Sequence, residues 1–223
     1  MEIAFLLQPW ETARRPGEGG SIAIWTHEVA RRLARDRPVT VYARRGDYPA
    51  FERADGVAYR RISLDFEERR VVPVLQALIR RHLVRGPDFA SPWYHPGYGL
   101  QVGLDLRRRH VGAIHLTNFS QFPPILRALV PRARIVLHMQ CEWLTQQDPR
   151  TIARRLRSVD AIVGCSDHVI GKVARAFPHL RDRCHVVPNG TELPGTGTRP
   201  DRPGRTILFV GRVSPEKGVH VLL

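Results

Sequence analysis

Short, wholly apolar runs alternate along this chain with stretches in which apolar side chains recur every three or four residues. Ile3–Leu7 is of the first kind and predicts a strand buried on both faces. Ser21–Arg35 is of the second kind, with Ile22, Trp25, Val29 and Leu33 at helical spacing. The same reading continues downstream. Strands are predicted at Val39–Ala43 and Val57–Ile62, and a helix over Val72–Val84, with Pro73 tolerated near its start. Pro87–Gly99, rich in Pro, Gly and aromatics, reads as a loop. Helices follow at Leu100–Arg109, Pro124–Val130 and Thr151–Arg157, with strands at Ala113–Leu116, Arg134–Met139, Ala161–Val163 and Cys184–Val187. Ser166 is placed to cap a helix that carries Val169, Ile170, Val173 and Phe177 on one face.

Regular alternation of strand and helix predicts an α/β fold, a Rossmann-like parallel sheet with helices on both faces. An antiparallel hairpin within Val39–Ile62 would count against it. Pro194–Pro203 is dominated by Pro, Gly and Thr and reads as a linker. The expected organisation is a first domain over 1–193, a linker over 194–204, and the start of a second α/β domain over 205–223. That start carries a strand at Thr206–Val210 and a helix beginning near Lys217. One strand cannot bury its own faces, so the chain reads as a truncated two-domain protein.

Composition narrows the picture. With 223 residues, 43% of them hydrophobic, the chain can build a core and is neither disordered nor a small stapled scaffold. Its formal charge is +14. Lys172 and Lys217 are the only lysines, so the basicity is almost all arginine. Genome composition can favour arginine. The functional alternative is a polyanionic partner. The basic residues are scattered, without an aromatic-interleaved motif, which favours an anionic substrate or membrane surface over nucleic acid. Arg31, Arg32, Arg35, Arg107–Arg109, Arg154, Arg155 and Arg157 offer basic helix faces for peripheral attachment. Cys141, Cys165 and Cys184 are odd in number and far apart, which argues against zinc ligation or a redox pair and fits a reducing, cytoplasmic compartment. No run approaches the ~18 apolar residues of a membrane span.

In open parallel sheets ligands bind beyond the carboxyl ends of the strands, and three loops there could carry chemistry. The first, after the first strand, ends Gly17-Glu18-Gly19-Gly20-Ser21 at a helix start, where backbone N–H groups can approach an anion. A flexible glycine-capped turn explains it equally well. The second is His138-Met139-Gln140-Cys141-Glu142-Trp143 at a strand end. His138 there could orient a hydroxyl or sit as a satisfied core histidine. The third is Gly211-Arg212-Val213-Ser214-Pro215-Glu216-Lys217-Gly218, where Arg212 and Lys217 could clamp a diphosphate or stand as a solvated basic pair. The G-x-G-x-x-G fingerprint, the G-x-x-x-x-G-K-[ST] loop, H-E-x-x-H, G-x-S-x-G and D-x-D are all missing.

These motifs resemble those of the retaining GT-B glycosyltransferases of family 4. TILFVGRVSPEKGVHVLL is similar to the family's G-R-x-x-x-x-K-G signature. Gly19-Gly20 with its helix resembles the N-terminal glycine loop, and IVGCSDHVIGKV a strand-serine-helix segment. HVVPNGTEL resembles the P-N-G passage into the linker, and His138 falls where the family has a histidine after a strand. The resemblance implies two Rossmann-like domains around a cleft, and transfer of a sugar from a nucleotide-sugar donor to a hydroxyl acceptor, itself a sugar or lipid-linked, with retention. It implies that Arg212 and Lys217 hold the donor diphosphate, that Gly19 and Gly20 lie near the phosphates, that His138 is catalytic, and that no metal or cofactor is needed. The family's E-x7-E pair and nucleoside pocket would lie beyond residue 223, so activity of this chain by itself is not expected. A non-catalytic binding module for acceptor, anionic lipid or a separate C-terminal domain remains open, as does a basic nucleic-acid binder.

Overall fold

The computed structural model describes residues 1–13, 20–81, 88–191, 208–211 and 213–222. By contacts the chain divides into two units, Met1–Asn189 and Gly190–Leu223. In chain order the first unit holds β1 (Glu2–Leu6), α1 (Ser21–Leu33), β2 (Val39–Arg44), β3 (Phe51–Ala54), β4 (Val57–Ile62), α2 (Val72–Arg80), α3 (Pro96–Arg107) and β5 (Val111–Thr117). It continues with α4 (Phe122–Leu129), β6 (Arg134–Met139), α5 (Pro149–Leu156), β7 (Ala161–Gly164), α6 (Asp167–Ala176) and β8 (Cys184–Val186). The eight strands form one sheet in the order β3-β4-β2-β1-β5-β6-β7-β8.

Every pairing is parallel except β3 with β4. β1 lies centrally, with Ile3 opposite Val39 on one side and Leu6 opposite Leu116 on the other. Its side chains alternate between two cores, as the two-residue period of a strand requires. Ala4 and Leu6 join a core with α3, α4, α5 and α6 residues such as Tyr98, Leu126, Ile152 and Val173. Phe5 and Leu7 join a core with Ala23 and Ala30 of α1. The sheet is thus covered by helices on both faces, which is why its central strands read as unbroken apolar runs.

In the first unit two expectations need correction. Val39–Ile62 does contain an antiparallel hairpin, β3–β4, confined to the sheet edge. Asp55 and Gly56 take φ of 51° and 77°, the paired left-handed geometry that an Asp-Gly turn favours. Pro87–Gly99 is not all loop, because α3 begins at Pro96, where a fixed φ and a missing N–H suit a first helical turn. The Ser166 cap is present, its Oγ accepting from the Val169 N–H at 3.3 Å.

In the second unit a 3-10 turn at Pro215–Lys217 leads into α7 (Val219–Leu222). Of the strand expected at Thr206–Val210, the first two residues lie outside the described ones. Leu208–Val210 is not strand, and Leu208 and Val210 are exposed. A strand exists only through ladder bonds to a neighbour, and among the described residues of this unit there is no second strand. The expected linker over 194–204 lies outside the described residues.

Candidate functional site

The strand order reverses direction between β1 and β5, and a cavity of about 320 Å³ opens at the carboxyl ends of β1, β5 and β6. Gln8 and Trp10 follow β1, Ser21, Ile22 and Trp25 come from the first turns of α1, and Asn118 follows β5. Gln140, Cys141 and Trp143 follow β6, and Asn189 follows β8. Among the described residues no charged side chain lines the cavity.

Its polar wall is built from carboxamides. Asn118 sits at φ 61°, a left-handed position that asparagine tolerates better than most residues. Its backbone N–H donates to the His138 carbonyl at 2.9 Å, and its Oδ1 accepts from the Gln140 backbone N–H at 2.7 Å. One residue therefore locks the ends of β5 and β6 together. Gln140 and Asn189 exchange amide bonds, Nε2 to Oδ1 at 3.1 Å and Nδ2 to Oε1 at 2.8 Å.

The apolar wall is aromatic. The Trp10 ring meets Phe119 at 5.1 Å and Trp143 at 6.0 Å, both edge to face. Trp143 stacks on Phe89 at 4.5 Å. These contacts fix the indoles before any ligand arrives.

His138 does not line the cavity. It is 0% exposed, on the sheet face covered by α1, with the Trp25 ring 4.8 Å away. Its Nε2 accepts from the Gln140 amide at 3.0 Å, which leaves the proton on Nδ1 to donate to His115 Nε2 at 3.1 Å. Burial pushes the His138 pKa down to about 4. Burial, then the His138 neighbour, pushes His115 to about 3. Both rings are neutral near pH 7, and His138 meets the cavity through Gln140. Cys141 faces the cavity as a thiol, since burial raises its pKa.

At the α1 N-terminus, Gly20 is the N-cap residue, and its N–H bonds the Glu11 carboxylate. A Cβ built on Gly20 would stand 2.5 Å from Glu11 Oε1. A carboxylate of the chain's own therefore occupies the helix end at which the resemblance expected phosphate, and burial raises the Glu11 pKa despite the bond. The loop before it is pinned by buried Arg61, which donates to the Thr12 and Ala13 carbonyls at 3.3 Å and to Glu52 Oε2 at 2.9 Å. Gly19 and Arg212 lie outside the described residues. Lys217, in the second unit, is exposed at the end of its 3-10 turn. The structure thus joins Gly20 to the cavity rim through Ser21, and describes no mutual geometry for Arg212 and Lys217. Among the described residues no group of three or more His, Cys, Asp or Glu could hold a metal ion. Among them, too, no helix is long and apolar enough to cross a membrane.

Sequence reasoning reached this rim through Gly20 and the strand end at His138, and did not single out Trp10, Trp25, Asn118, Gln140 or Asn189. Each of those is placed by the strand order, which no local pattern states. Asn189, within the quoted P-N-G passage, and Gln140, within the quoted His138–Trp143 loop, were the ones with a signal.

Comparison with known proteins agrees with this fold. Residues 22–193 match Glycosyltransferase Family 4. Spore coat protein SA of Bacillus subtilis is 25% identical over 224 aligned positions, covering 92% of this chain and 51% of that protein. Among solved structures, an OtsA apo structure superposes with a TM-score of 0.53 at 14% identity, over 86% of this chain and 50% of that one. A UDP-forming α,α-trehalose-phosphate synthase from Burkholderia vietnamiensis gives 0.51 at 14% identity, over 84% and 48%. At such identities the structural likeness speaks for the fold, half of a GT-B architecture. The chain spans about half the length of the relatives it matches.

Proposed function

The chain belongs to glycosyltransferase family 4, and on that footing we propose that it is the acceptor-side domain of a retaining, hexosyltransferase-type glycosyltransferase. The donor is a nucleotide-diphosphate sugar and the acceptor a hydroxyl on a sugar or a lipid-linked sugar. One observation carries this reading: the switch-point cavity is walled by tryptophans and carboxamides, with no charged side chain among the described residues that line it. Indole faces cover the C–H face of a pyranose, Asn118 and Asn189 keep amide donors for vicinal hydroxyls, and Gln140, whose two amide hydrogens are spent on His138 and Asn189, keeps acceptor capacity on Oε1. Gln140, held by Asn189 on one side and His138 on the other, orients the reacting hydroxyl by accepting from it at Oε1. His138 is then a positioning residue, its neutral Nε2 fixing that amide. Arg212 and Lys217 clamp the donor diphosphate and neutralise the leaving group, with Gly19 and Gly20 admitting the phosphates near α1. That last role requires Glu11 to leave the helix end or to carry a proton. Cytoplasmic location, where nucleotide-sugars are made, completes the reading.

A second reading is a non-catalytic acceptor-binding module, which the same cavity wall would also serve. Donor turnover separates the two. Joined to a full C-terminal domain of its family, the chain should transfer sugar with retention. Alone, it should bind saccharide without consuming donor. Saccharide binding with no transfer in the joined protein would establish the module. Loss of both would overturn the cavity as an acceptor site.

A further inference from the structure

The edge formed by α2 and the turn before it presents apolar and basic side chains that the fold leaves uncovered. Its inner side is anchored. Leu64 and Leu75 are buried, Glu67 Oε1 accepts from the Gly97 backbone N–H at 2.7 Å, and His95 Nδ1 lies 3.5 Å from Glu67 Oε2. Glu68 is held by Arg44 at 2.6 Å. Its outer side is different. Phe66 is 73% exposed, Val74 59%, and Trp93, two residues before His95, 66%. Arg69, Arg70, Arg80 and Arg81 are all exposed, and none makes an ion pair among the described residues. Asp65 is the one exposed carboxylate between Ser63 and Arg81.

The helix faces that sequence alone offered for membrane attachment are partly spent inside the protein. Arg31 and Arg32 both bind Glu28, Arg109 binds Glu2, and buried Arg155 donates to Ser120 Oγ and the Ala90 carbonyl. Arg35, Arg107, Arg108, Arg154 and Arg157 also stay exposed, but the arginines around α2 stand beside Phe66 and Trp93, the most exposed aromatic side chains among the described residues.

We infer that this edge docks on an anionic lipid surface, with Phe66, Val74 and Trp93 entering the headgroup boundary and Arg69, Arg70, Arg80 and Arg81 meeting the phosphates. Apolar insertion together with a basic patch is the two-signal combination that gives stable peripheral attachment, and Trp is at home at that boundary. Aromatic and arginine side chains also suit protein interfaces, and it is the excess of four exposed arginines over one exposed carboxylate that favours a phosphate surface. The surface is also held beside the cavity. Trp93 adjoins Tyr94, whose ring lies 6.5 Å from Trp10 of the cavity wall, and the Glu67–Gly97 bond ties the two segments together. Docking there would bring the cavity alongside the headgroup layer, where the hydroxyl of a lipid-linked acceptor lies. The docking itself does not depend on transfer.

Flotation of the 223-residue chain with vesicles of phosphatidylcholine alone, and of an equal mixture with phosphatidylglycerol, tests the inference. Binding is expected to the mixed vesicles only, weakening as salt rises, with a blue shift of tryptophan emission that W93S removes. R69Q/R70Q should lower the partition coefficient about thirtyfold, from about 1 kcal/mol per basic residue. F66S and W93S should each lower it about tenfold. R31Q/R32Q should stay within about twofold of the parent. All these side chains are at the surface, so unchanged circular dichroism and thermal midpoints separate lost binding from lost folding. Equal binding to both vesicles, no binding, or binding that survives F66S/W93S would overturn the inference. So would self-association that F66S/W93S abolishes without any lipid binding, which would assign the surface to a second copy.

Discussion

Acidification should destabilise the protein through two buried imidazoles. His115 is held at about 3 and His138 at about 4, against 6.5 for a free ring, and desolvation is the leading cause for both. A depressed histidine pKa means that the unfolded chain binds protons the folded chain refuses. The stability is fully present above 6.5 and is lost as pH falls toward the folded values. At pH 5 each ring lies one and a half pH units below its free value, which costs about 2 kcal/mol, so the pair costs about 4 kcal/mol. Against a typical total of about 5–15 kcal/mol, that is a large loss. Glu11 acts in the opposite sense: its raised pKa lets the folded state take up a proton first, offsetting part of the loss. Glu28, lowered from 4.5 to about 2 by Arg31 and Arg32, loses its contribution as pH falls between those two values and so lies outside this window. Urea unfolding at pH 7, 6 and 5 reads the effect, with a slope approaching about 3 kcal/mol per pH unit on the acid side. His115→Phe should be about 1–3 kcal/mol less stable at pH 7, because the His138 Nδ1–H loses its acceptor. It should also lose half the acid slope, so that the two curves converge as pH falls. A flat profile between pH 7 and 5, or a slope unchanged in His115→Phe, would refute the assignment of these rings as neutral and buried.

Other expectations follow from single contacts. Arg61→Met should cost about 3–5 kcal/mol in urea unfolding, since it strands Glu52 and the Thr12 and Ala13 carbonyls; a loss under about 1 kcal/mol would mean that the loop before α1 is anchored elsewhere. Asp160→Ala removes the acceptor of the Ile135 N–H at 2.7 Å and of Arg127 at 2.5 Å, and should lower stability by about 1–3 kcal/mol without altering saccharide binding. Deleting Gly204–Leu223 should leave the thermal midpoint of the first unit nearly unchanged, since contacts divide the chain at Asn189; a large fall would place the tail in the core. In a chain joined to a full C-terminal domain, Arg212→Ala and Lys217→Ala should each reduce turnover about a hundredfold or more, and turnover that survives both would remove the diphosphate clamp.

Much of the sheet was legible because each strand of a parallel sheet is buried on both faces and so announces itself. Arg134–Met139 and Val57–Ile62 appear at the predicted bounds. Phe51–Ala54 did not announce itself, for two of its four residues are charged and it pairs on one side only. Its turn, Asp55-Gly56, was the readable sign. α3 hid its start behind Pro96-Gly97, two residues that read as loop until the proline is seen as a first-turn residue. The cavity was legible at its rim and not in its walls. Trp10, Asn118, Gln140 and Asn189 come from four separate loops, and they meet because β1, β5 and β6 are adjacent in the sheet. Trp25 was read as one residue of an apolar helix stripe, which it is, and the same ring also covers His138 and faces the cavity. The burial of Arg155 and the pairing of Arg31 and Arg32 were likewise invisible in a count of basic residues.

The central claim is that the switch-point cavity takes an uncharged, polyhydroxylated acceptor. Calorimetric titration of the 223-residue chain with a panel of neutral hexoses and disaccharides, beside the phosphorylated form of each, tests it most directly. The account predicts that a neutral saccharide binds with a change in tryptophan emission, that its phosphorylated form binds more weakly, and that Trp143→Ala abolishes the heat while the fold survives. A preference for the phosphorylated sugars, or saccharide binding indifferent to Trp10 and Trp143, would contradict it.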